Sequence, residues 1–312
     1  MDRRAFVAAG LAAGVAAISS SLAEDKPAAK PSGPAPPRSA EASKFKLKYA
    51  PELGRYEESA GKDPIDQLKF FADEGFSAMF DNNLNQKPPE LQELIAKQCQ
   101  KLNFAMGPFI ACAEFSRPTF VLKDNKVRES AIAKIKAAIE VSKRTGCKMG
   151  IVVPGQYANN MELAYQTANV IDNLKACAEV CEKDGFIMVI EPLNSKDHAG
   201  MFLSKIPQAY QICRAVNSPS CKILDDMYHQ QITEGNLIPN MDRSWEEIAV
   251  FHIGDNPGRN EPTTGEINYR NIFKHIHEKG YQGVLCMEHG KSKPGKEGER
   301  AVIDAYRWCD DY

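Results

Sequence analysis

Two patterns of hydrophobic and polar positions alternate along most of the chain. Short, continuously apolar runs are typical of parallel strands that are covered on both faces. Longer segments, with apolar residues every three or four positions, are typical of amphipathic helices. The predicted strands are 45–49, 76–80, 104–111, 148–153, 186–190, 221–224, 249–253 and 284–287.

A helix is predicted after each of these strands. The first opens at Asp63-Pro64, where Asp caps free amides and Pro fits the first turn, and it ends at Gly75. The other predicted helices are 89–102, 129–145, 161–184, 203–216, a shorter one closed by 244–247, 269–279 and 297–309. Eight strand–helix units in one domain predict an α/β protein with a single (β/α)₈ TIM barrel. An open doubly wound sheet is the main competitor, but no GxGxxG motif follows the first strand.

The first 43 residues have a different pattern. Residues 1–23 (MDRRAFVAAGLAAGVAAISSSLA) combine Arg3-Arg4, a weakly apolar core and a small-residue cleavage site, which predicts a bacterial twin-arginine signal peptide. The apolar core is too short and weak for a stable membrane anchor. Residues 24–43 are rich in Pro and Ala and predict a disordered linker. We therefore expect a barrel over 44–312, exported to the periplasm by the twin-arginine machinery.

Composition narrows the class of partner. The 312 residues carry 39 Lys and Arg against 41 Asp and Glu, a formal charge of −2. This balance removes the electrostatic case for binding nucleic acid.

Nine cysteines are an odd number for a chain that is oxidised during secretion. Twin-arginine export moves proteins that have already folded, so we expect buried, reduced thiols. Cys177 and Cys181, one helical turn apart, are interpreted in the same way rather than as a metal pair.

Polar side chains end the last four predicted strands. They are Glu191, Asp225 or Asp226, His252 and Glu288. In a TIM barrel the carboxyl ends of the strands meet at the catalytic face, so these side chains are expected to converge. Three carboxylates and one imidazole suit Mn²⁺, Mg²⁺ or Co²⁺ better than structural zinc. The alternative is a buried salt-bridge network without a metal. Asp81, Asn82, Asn83 and Glu114 follow strands two and three and are expected on the same rim.

Four motifs resemble those of a known family. They are IEPLNSKDHAG (190–200), DMYHQQITEGNL (226–237), NPGRNEPTTGEINY (256–269) and MEHG (287–290). They resemble the xylose isomerase-like barrels, in the hydroxypyruvate isomerase and ketose 3-epimerase branch. The resemblance implies one divalent metal ion and an acid/base pair, Glu191 and Glu288. It implies the metal ligands Glu191, Asp226, His252 and Glu288, with His229 and Arg259 contacting substrate oxygens. Asn194 is predicted to bind substrate, with loop capping as its alternative.

The implied activity is that of an isomerase, an intramolecular oxidoreductase of the aldose–ketose type that acts on a small sugar or keto acid. At two places the sequence departs from the pattern of hydroxypyruvate isomerases, which weakens the expectation that hydroxypyruvate is the substrate. His252 stands where hydroxypyruvate isomerases often have Gln, and His289-Gly290-Lys291 replaces an aromatic and a basic residue. A ketose 3-epimerase is the alternative enzyme, and a non-catalytic exported sugar-binding barrel is the alternative class. A DNA-repair nuclease is disfavoured, because such sites use more histidines. Related barrels often pair, so a homo-oligomer is also expected.

Overall fold

The computed structural model describes residues 44–312, and the predicted signal peptide and linker lie outside the described residues. Its strands are β1 (Lys48–Ala50), β2 (Ala78–Met79), β3 (Ala105–Met106), β4 (Phe109–Ala113), β5 (Met149–Val153), β6 (Ile187–Ile190), β7 (Cys221–Asp226), β8 (Ile248–His252) and β9 (Val284–Cys286). Its helices are α1 (Glu57–Ala60), α2 (Pro64–Asp73), α3 (Pro89–Leu102), α4 (Asn125–Thr145), α5 (Leu163–Glu182), α6 (Ile206–Val216), α7 (Met227–Thr233), α8 (Leu237–Ser244), α9 (Tyr269–Glu278) and α10 (Gly295–Asp310).

The strands form a parallel sheet that curls into a barrel. Seven strands run in the order β1-β9-β8-β7-β6-β5-β4, and β2 pairs with β3. Phe80 N donates to Pro51 O and Leu53 N donates to Phe80 O, both at 3.1 Å, so the chain beyond β1 is bonded to the end of β2. Gly107 N donates to Met79 O at 2.8 Å and extends the pairing of β2 with β3. This arrangement confirms the predicted TIM barrel.

The third predicted strand is wrong as a single element. The predicted run 104–111 is two strands, β3 and β4, which pair with β2 and β5 respectively. Pro108 lies between them and has no N–H to donate to a ladder. A Cβ on Gly107 would lie 2.6 Å from Cys286 Sγ and 2.7 Å from Phe80 Cβ, so only glycine fits here. The strand therefore breaks where its backbone packs against the barrel interior.

Two helix predictions also need correction. Helix α4 begins at Asn125, four residues before the predicted start, because Asp124 accepts a hydrogen bond from Lys126 N and caps the helix. One short helix ending at 244–247 was predicted before the seventh strand, and the structure has α7, α8 and a 3₁₀ turn there. The short helix α7 begins directly at the end of β7, and this places two site residues, described below.

Two apolar layers hold the barrel together. The inner layer fills the barrel with small and branched side chains from the strands, including Ala50, Ile151, Val189, Leu224 and Val250. The larger outer layer packs the helices against the outside of the strands. All nine cysteines are buried and unpaired, as predicted. Among the described residues no helix is long and apolar enough to cross a membrane. The filled interior leaves the strand ends as the place where polar side chains gather.

Candidate metal centre and active site

Four side chains converge at the carboxyl ends of β6 to β9. Glu191 follows β6 directly, Asp226 ends β7, His252 ends β8, and Glu288 lies two residues beyond β9. One ligand atom from each lies within 4.8 Å of all the others. Glu191, Asp226 and His252 are buried, and Glu288 is partly exposed. The structure thus brings together the four residues that the sequence analysis assigned as ligands.

Asp226 has two roles because its two carboxylate oxygens face different groups. Oδ1 accepts hydrogen bonds from Tyr228 N at 2.8 Å and His229 N at 3.3 Å, which caps α7. Oδ2 lies 2.8 Å from Arg259 Nη2 and faces the cluster. Asp225 is buried but lies outside the cluster, and its Oδ1 has no hydrogen-bond partner among the described residues. Nothing in the structure explains why an acidic residue stands at 225.

Glu288 is held on both of its oxygens. Oε1 accepts a hydrogen bond from Asn82 Nδ2 at 2.6 Å. Oε2 lies 2.5 Å from Arg259 Nη2 and 3.1 Å from His252 Nδ1. Burial alone would raise the pKa of Glu288, but the positive charges of His252 and Arg259 outweigh it and hold the pKa far below its ordinary value. Glu288 is therefore fixed in place as a carboxylate.

Glu191 has the opposite environment. Its closest ionic contact is His252 Nδ1, at 3.8 Å from Oε1. Burial raises the pKa of Glu191 to about 8, and repulsion from Glu288 and Asp226 adds to the effect. For His252, burial favours the neutral ring, but Glu288 outweighs this and raises its pKa. Glu191 is thus a carboxyl group that exchanges a proton near neutral pH in the absence of further positive charge.

The donor set fits a divalent cation. Metal ligands must be deprotonated, and with three ionised carboxylates and a neutral imidazole the site would carry an excess of negative charge beside its one guanidinium. Buried carboxylates that lack full compensation are costly, and a divalent ion would offset that cost. Three oxygen donors and one nitrogen donor are the ligand types that Mn²⁺, Mg²⁺ and Co²⁺ accept. Glu191, Asp226, His252 and Glu288 are the residues that would hold it.

His229 lies beside the cluster with a defined proton position. Asn194 Oδ1 accepts hydrogen bonds from Lys196 N and Asp197 N, which fixes the orientation of its amide group. Asn194 Nδ2 then lies 2.6 Å from His229 Nδ1 and donates to it. The proton of the neutral ring is therefore on Nε2, which lies 3.6 Å from Asp226 Oδ2. Asn194 is buried, and its amide group caps the loop and orients His229. Its contact with substrate stays a prediction.

Arg259 bridges two of the acidic residues. Its Nη2 contacts both Asp226 and Glu288, and its guanidinium lies over the ring of Tyr228 at 4.8 Å from the ring centre. The loop that carries Arg259 is folded around Asp255, which accepts hydrogen bonds from three backbone N–H groups, at Asn256, Gly265 and Ile267. The contact of Arg259 with the Tyr228 ring and the hydrogen bond between Asn82 and Glu288 were not predicted from the sequence. For the hydrogen bond, the only signal in the sequence was the position of Asn82 after β2.

Comparisons with known proteins agree with this fold. A family model described as Xylose isomerase-like TIM barrel matches residues 68–312. Hydroxypyruvate isomerase of Escherichia coli K12 is 31% identical over 191 residues, which cover 61% of this chain and 69% of that protein. 2-Oxo-tetronate isomerase of Cupriavidus necator is 31% identical over 138 residues, 44% of this chain and 53% of that protein. The sequence match thus extends over about half to two thirds of these curated relatives.

Solved structures share the barrel at lower sequence identity. An AP endonuclease of family 2 from Brucella melitensis superimposes with a TM-score of 0.70 at 19% identity, covering 85% of this chain and 99% of that chain. D-Psicose 3-epimerase with D-tagatose, from Clostridium cellulolyticum H10, has a TM-score of 0.64 at 16% identity, covering 84% and 90%. At these identities the structures show the fold alone. The family model, which matches most of the barrel, shows that the chain belongs to the xylose isomerase-like TIM barrel family.

Proposed function

We propose that this chain is a divalent-metal-dependent isomerase that moves a carbonyl group along a small hydroxy-keto acid or sugar, as hydroxypyruvate isomerase does. The observation that carries the proposal is the convergence of Glu191, Asp226, His252 and Glu288 within 4.8 Å. The names of the curated relatives, hydroxypyruvate isomerase and 2-oxo-tetronate isomerase, support the isomerase class and small keto acids as substrates.

The chemistry requires a weakly acidic C–H bond and a base beside it. A divalent cation bound by these residues supplies charge that polarises a substrate carbonyl and the neighbouring hydroxyl, which acidifies the C–H between them. Glu191 is the base in this proposal, because its oxygens make no hydrogen bond within the described chain and its pKa responds to nearby charge. Its carboxylate removes the C–H proton to give an ene-diolate. Return of a proton from Glu191 to the neighbouring carbon, together with transfer of the hydroxyl proton to the former carbonyl oxygen, moves the carbonyl.

Two further side chains stabilise the charge that develops on substrate oxygen. Arg259 Nη2 and the His229 Nε2–H group both lie next to Asp226 and are fixed in direction by Tyr228 and Asn194. Preorganised donors of this kind act where charge develops in the transition state. Glu288, fixed by Asn82 and Arg259, remains ionised within the same cluster.

A ketose 3-epimerase is the second candidate. The favouring observation is that a second carboxylate, Glu288, stands in the same cluster as Glu191. Epimerisation needs a proton to leave one face of a carbon and return to the other face, which two acid/base groups achieve. The two candidates predict different products from one site, a moved carbonyl or an inverted C3 centre.

Product analysis tests the proposal. Purified protein is incubated with Mn²⁺ and either hydroxypyruvate or a ketohexose in D₂O, and the products are followed by NMR. A moved carbonyl with deuterium on the neighbouring carbon supports the isomerase, and inversion at C3 supports the epimerase. If substrate binds but neither product forms, the non-catalytic binding barrel replaces both enzyme proposals.

We further propose that the protein is exported to the periplasm through the twin-arginine pathway. The support is the Arg3-Arg4 motif with its weakly apolar core in residues 1–23. Replacing both arginines by lysine in the full chain tests it by cell fractionation. We expect periplasmic protein for the natural chain and cytoplasmic protein for the variant, and an unchanged distribution would contradict export by this pathway.

A further inference from the structure

A groove opens at the amino ends of the strands, at the opposite end of the barrel from the acidic cluster of Glu191, Asp226, His252 and Glu288. It has a volume of about 630 Å³ and lies between the carboxyl ends of α3 and α4 and the first residues of β3 and β5. Pockets that hold small organic molecules have volumes of roughly 300–1,000 Å³. The groove therefore has the size of a second ligand site, and it shares no lining residue with the acidic cluster.

The groove exists because the barrel wall is interrupted beside β3. Strand β3 pairs with β2, whereas β5 pairs with β4, which begins only after Pro108. Among the described strands β3 has no second partner, so the space between it and the start of β5 stays open. Ala105 and Met106 on β3 and Met149 on β5 are only partly buried as a result. The break between β3 and β4 thus leaves an opening in the wall as well as a change of partner.

The floor of this groove is apolar. Phe104, Met106 and Met149 line it, together with Ala96 and Ala105. Phe104 and Met106 are half-buried and pack against the outer apolar layer. Methionine side chains adapt their shape to a ligand, and their sulfur atoms make favourable contacts with aromatic rings. The floor is therefore suited to an apolar body, and to an aromatic ring in particular.

The rim of the groove is positively charged. Lys97, Arg144 and Lys148 line it with one carboxylate, Glu93, so three positive charges face one negative charge. Within the described residues none of the three cations forms an ion pair. Arg144 Nη1 donates instead to the neutral Gln92 Oε1 at 3.0 Å. The rim thus has a net charge of about +2 that the described chain does not balance.

The helix dipoles do not account for these cations. Positive side chains in the last turn of a helix offset the partial negative charge of its carboxyl end. Lys101 serves α3 in this way, and Lys143 and Arg144 serve α4. Lys97 lies before the last turn of α3, and Lys148 lies beyond the end of α4. At least two of the cations at the rim therefore need another explanation.

The neighbouring Lys143 shows what a balanced cation looks like in this region. It does not line the groove, and its Nζ lies 3.0 Å from Glu140 Oε1 and 3.1 Å from Asp184 Oδ1. Carboxylates are thus within reach at this end of the barrel, but they are paired outside the groove. The groove keeps its positive charge beside its apolar floor.

Charge and shape together favour a phosphate monoester with an apolar body. A phosphate monoester carries a charge of about −1.5 to −2 at pH 7, which matches the rim. Lysine and arginine side chains bind phosphate oxygens through charge-assisted hydrogen bonds. The predicted linker, 24–43, fits less well, because its three acidic and three basic side chains give no net charge to match. Inorganic phosphate would leave the apolar floor in water.

We propose that this groove is a second binding site, which takes a small phosphate monoester with an apolar body about the size of an aromatic ring. The head group contacts Lys97, Arg144 and Lys148, and the body lies on Phe104 and Met106. The site is independent of the acidic cluster and goes beyond the proposed function.

Isothermal titration calorimetry of the full chain with phenyl phosphate tests this site. We expect saturable binding of one molecule per chain, about tenfold tighter than inorganic phosphate, because the ring leaves water. The double variant Lys97→Gln/Lys148→Gln should bind phenyl phosphate about tenfold more weakly, since two charged donors are lost. Lys143→Gln, the matched control outside the groove, should change the Kd by less than about twofold. Thermal unfolding checks that each variant is folded.

A second control separates this groove from the acidic cluster. Asp226→Asn should bind phenyl phosphate as the natural protein does, whatever its effect on metal binding or activity. The proposal can therefore fail while the proposed function holds, and the reverse is also true.

Several outcomes would overturn the proposal. Absence of saturable binding, or equal affinity in the double variant, would show that the cations of the rim do not hold this ligand. Inorganic phosphate binding as tightly as phenyl phosphate would exclude a role for the apolar floor, and weaker binding in Asp226→Asn would place the ligand at the acidic cluster. If sedimentation showed that the natural protein self-associates and the double variant does not, the groove would belong to a second copy of the chain instead.

Discussion

The two halves of the barrel use the same residue types at strand ends in different ways. In the first half, each acidic residue after a strand pairs with a nearby basic residue: Glu52 with Arg55, Asp81 with Lys87 and Glu114 with Arg117. In the second half, Glu191, Asp226 and Glu288 face one another, with Arg259 between two of them. A carboxylate after a strand is therefore not informative by itself. What marks the site is convergence without a local partner for each charge.

Glu114 and Glu191 show the contrast within one residue type. Hydrogen bonds from Ser116, followed by Arg117, lower the pKa of the partly exposed Glu114 to about 2. Burial raises the pKa of Glu191 to about 8. Both follow strand ends on the same face of the barrel. Local partners stabilise the charge of Glu114, whereas the surroundings of Glu191 leave it in need of an additional cation.

The largest expected effect separates these two glutamates. Glu191→Gln should lower kcat by about 10³-fold, because an amide cannot accept the substrate proton. Glu114→Gln, the same substitution at a glutamate outside the acidic cluster, should alter kcat by less than about twofold. Steady-state kinetics with thermal unfolding as a check on folding measures both. Comparable losses in the two variants would remove the distinction between the halves.

Removal of the Arg259 side chain, in the second half of the barrel, should have the next largest effect. Arg259→Ala should lower kcat/KM by about 10²-fold, because a donor to the developing oxyanion is lost. Arg259→Lys should recover little of it, since an ammonium group lacks the rigid planar geometry that directs Nη2 at both carboxylates. Arg117→Ala, which breaks only the surface pair with Glu114, serves as the control. Full activity in Arg259→Ala would contradict the role given to this loop.

Asn82 belongs to the first half of the barrel but bonds to Glu288 in the site. Its substitution therefore tests whether the site is confined to the second half. Asn82→Ala should lower kcat about tenfold, because Glu288 loses the hydrogen bond to Oε1. Asn82→Asp should be worse, since it places a second negative charge against Glu288. Asn83→Ala, at the exposed neighbour, should have no measurable effect in the same assay. Equal activity in Asn82→Ala and Asn83→Ala would confine the site to the second half.

The smallest effect is a pH dependence of stability. Without a bound cation, burial raises the pKa of Glu191 to about 8, above its ordinary 4.5. Between these values the folded state holds a proton that the unfolded state has lost, so this contribution to stability falls as pH rises. Glu191→Gln should therefore gain in melting temperature relative to the natural protein between about pH 5 and 8. A difference that stays constant across that range would contradict the assigned environment.

Much of this site could be predicted from the sequence, because each of its residues is marked by the few positions that precede it. A carboxylate or imidazole directly after an apolar run identifies Glu191, His252 and Glu288 without any knowledge of their contacts. The choice of Asp226 over Asp225 needed the family spacing, since adjacent residues of a strand point to opposite sides. The regular alternation of strands and helices was likewise enough to predict the barrel.

The rest depends on contacts that sequence patterns do not encode. Asn82 and Glu288 are separated by 206 positions along the chain, yet they share a hydrogen bond. The break between β3 and β4 follows from the approach of Gly107 to Phe80 and Cys286, which only the folded barrel creates. Asn194 was predicted to bind substrate or to cap the loop, and its capping contacts with Lys196 N and Asp197 N appear only in the folded loop.

The proposed metal site is tested by a titration of Mn²⁺ into metal-stripped protein, with free Mn²⁺ followed by electron paramagnetic resonance. We expect one tightly bound ion per chain, lost or strongly weakened in Asp226→Asn, while Asp225→Asn binds as the natural protein does. The four converging residues predict this result because Asp226, unlike Asp225, lies among them. Absence of tight binding in the natural protein, or equal binding in Asp226→Asn, would contradict the account.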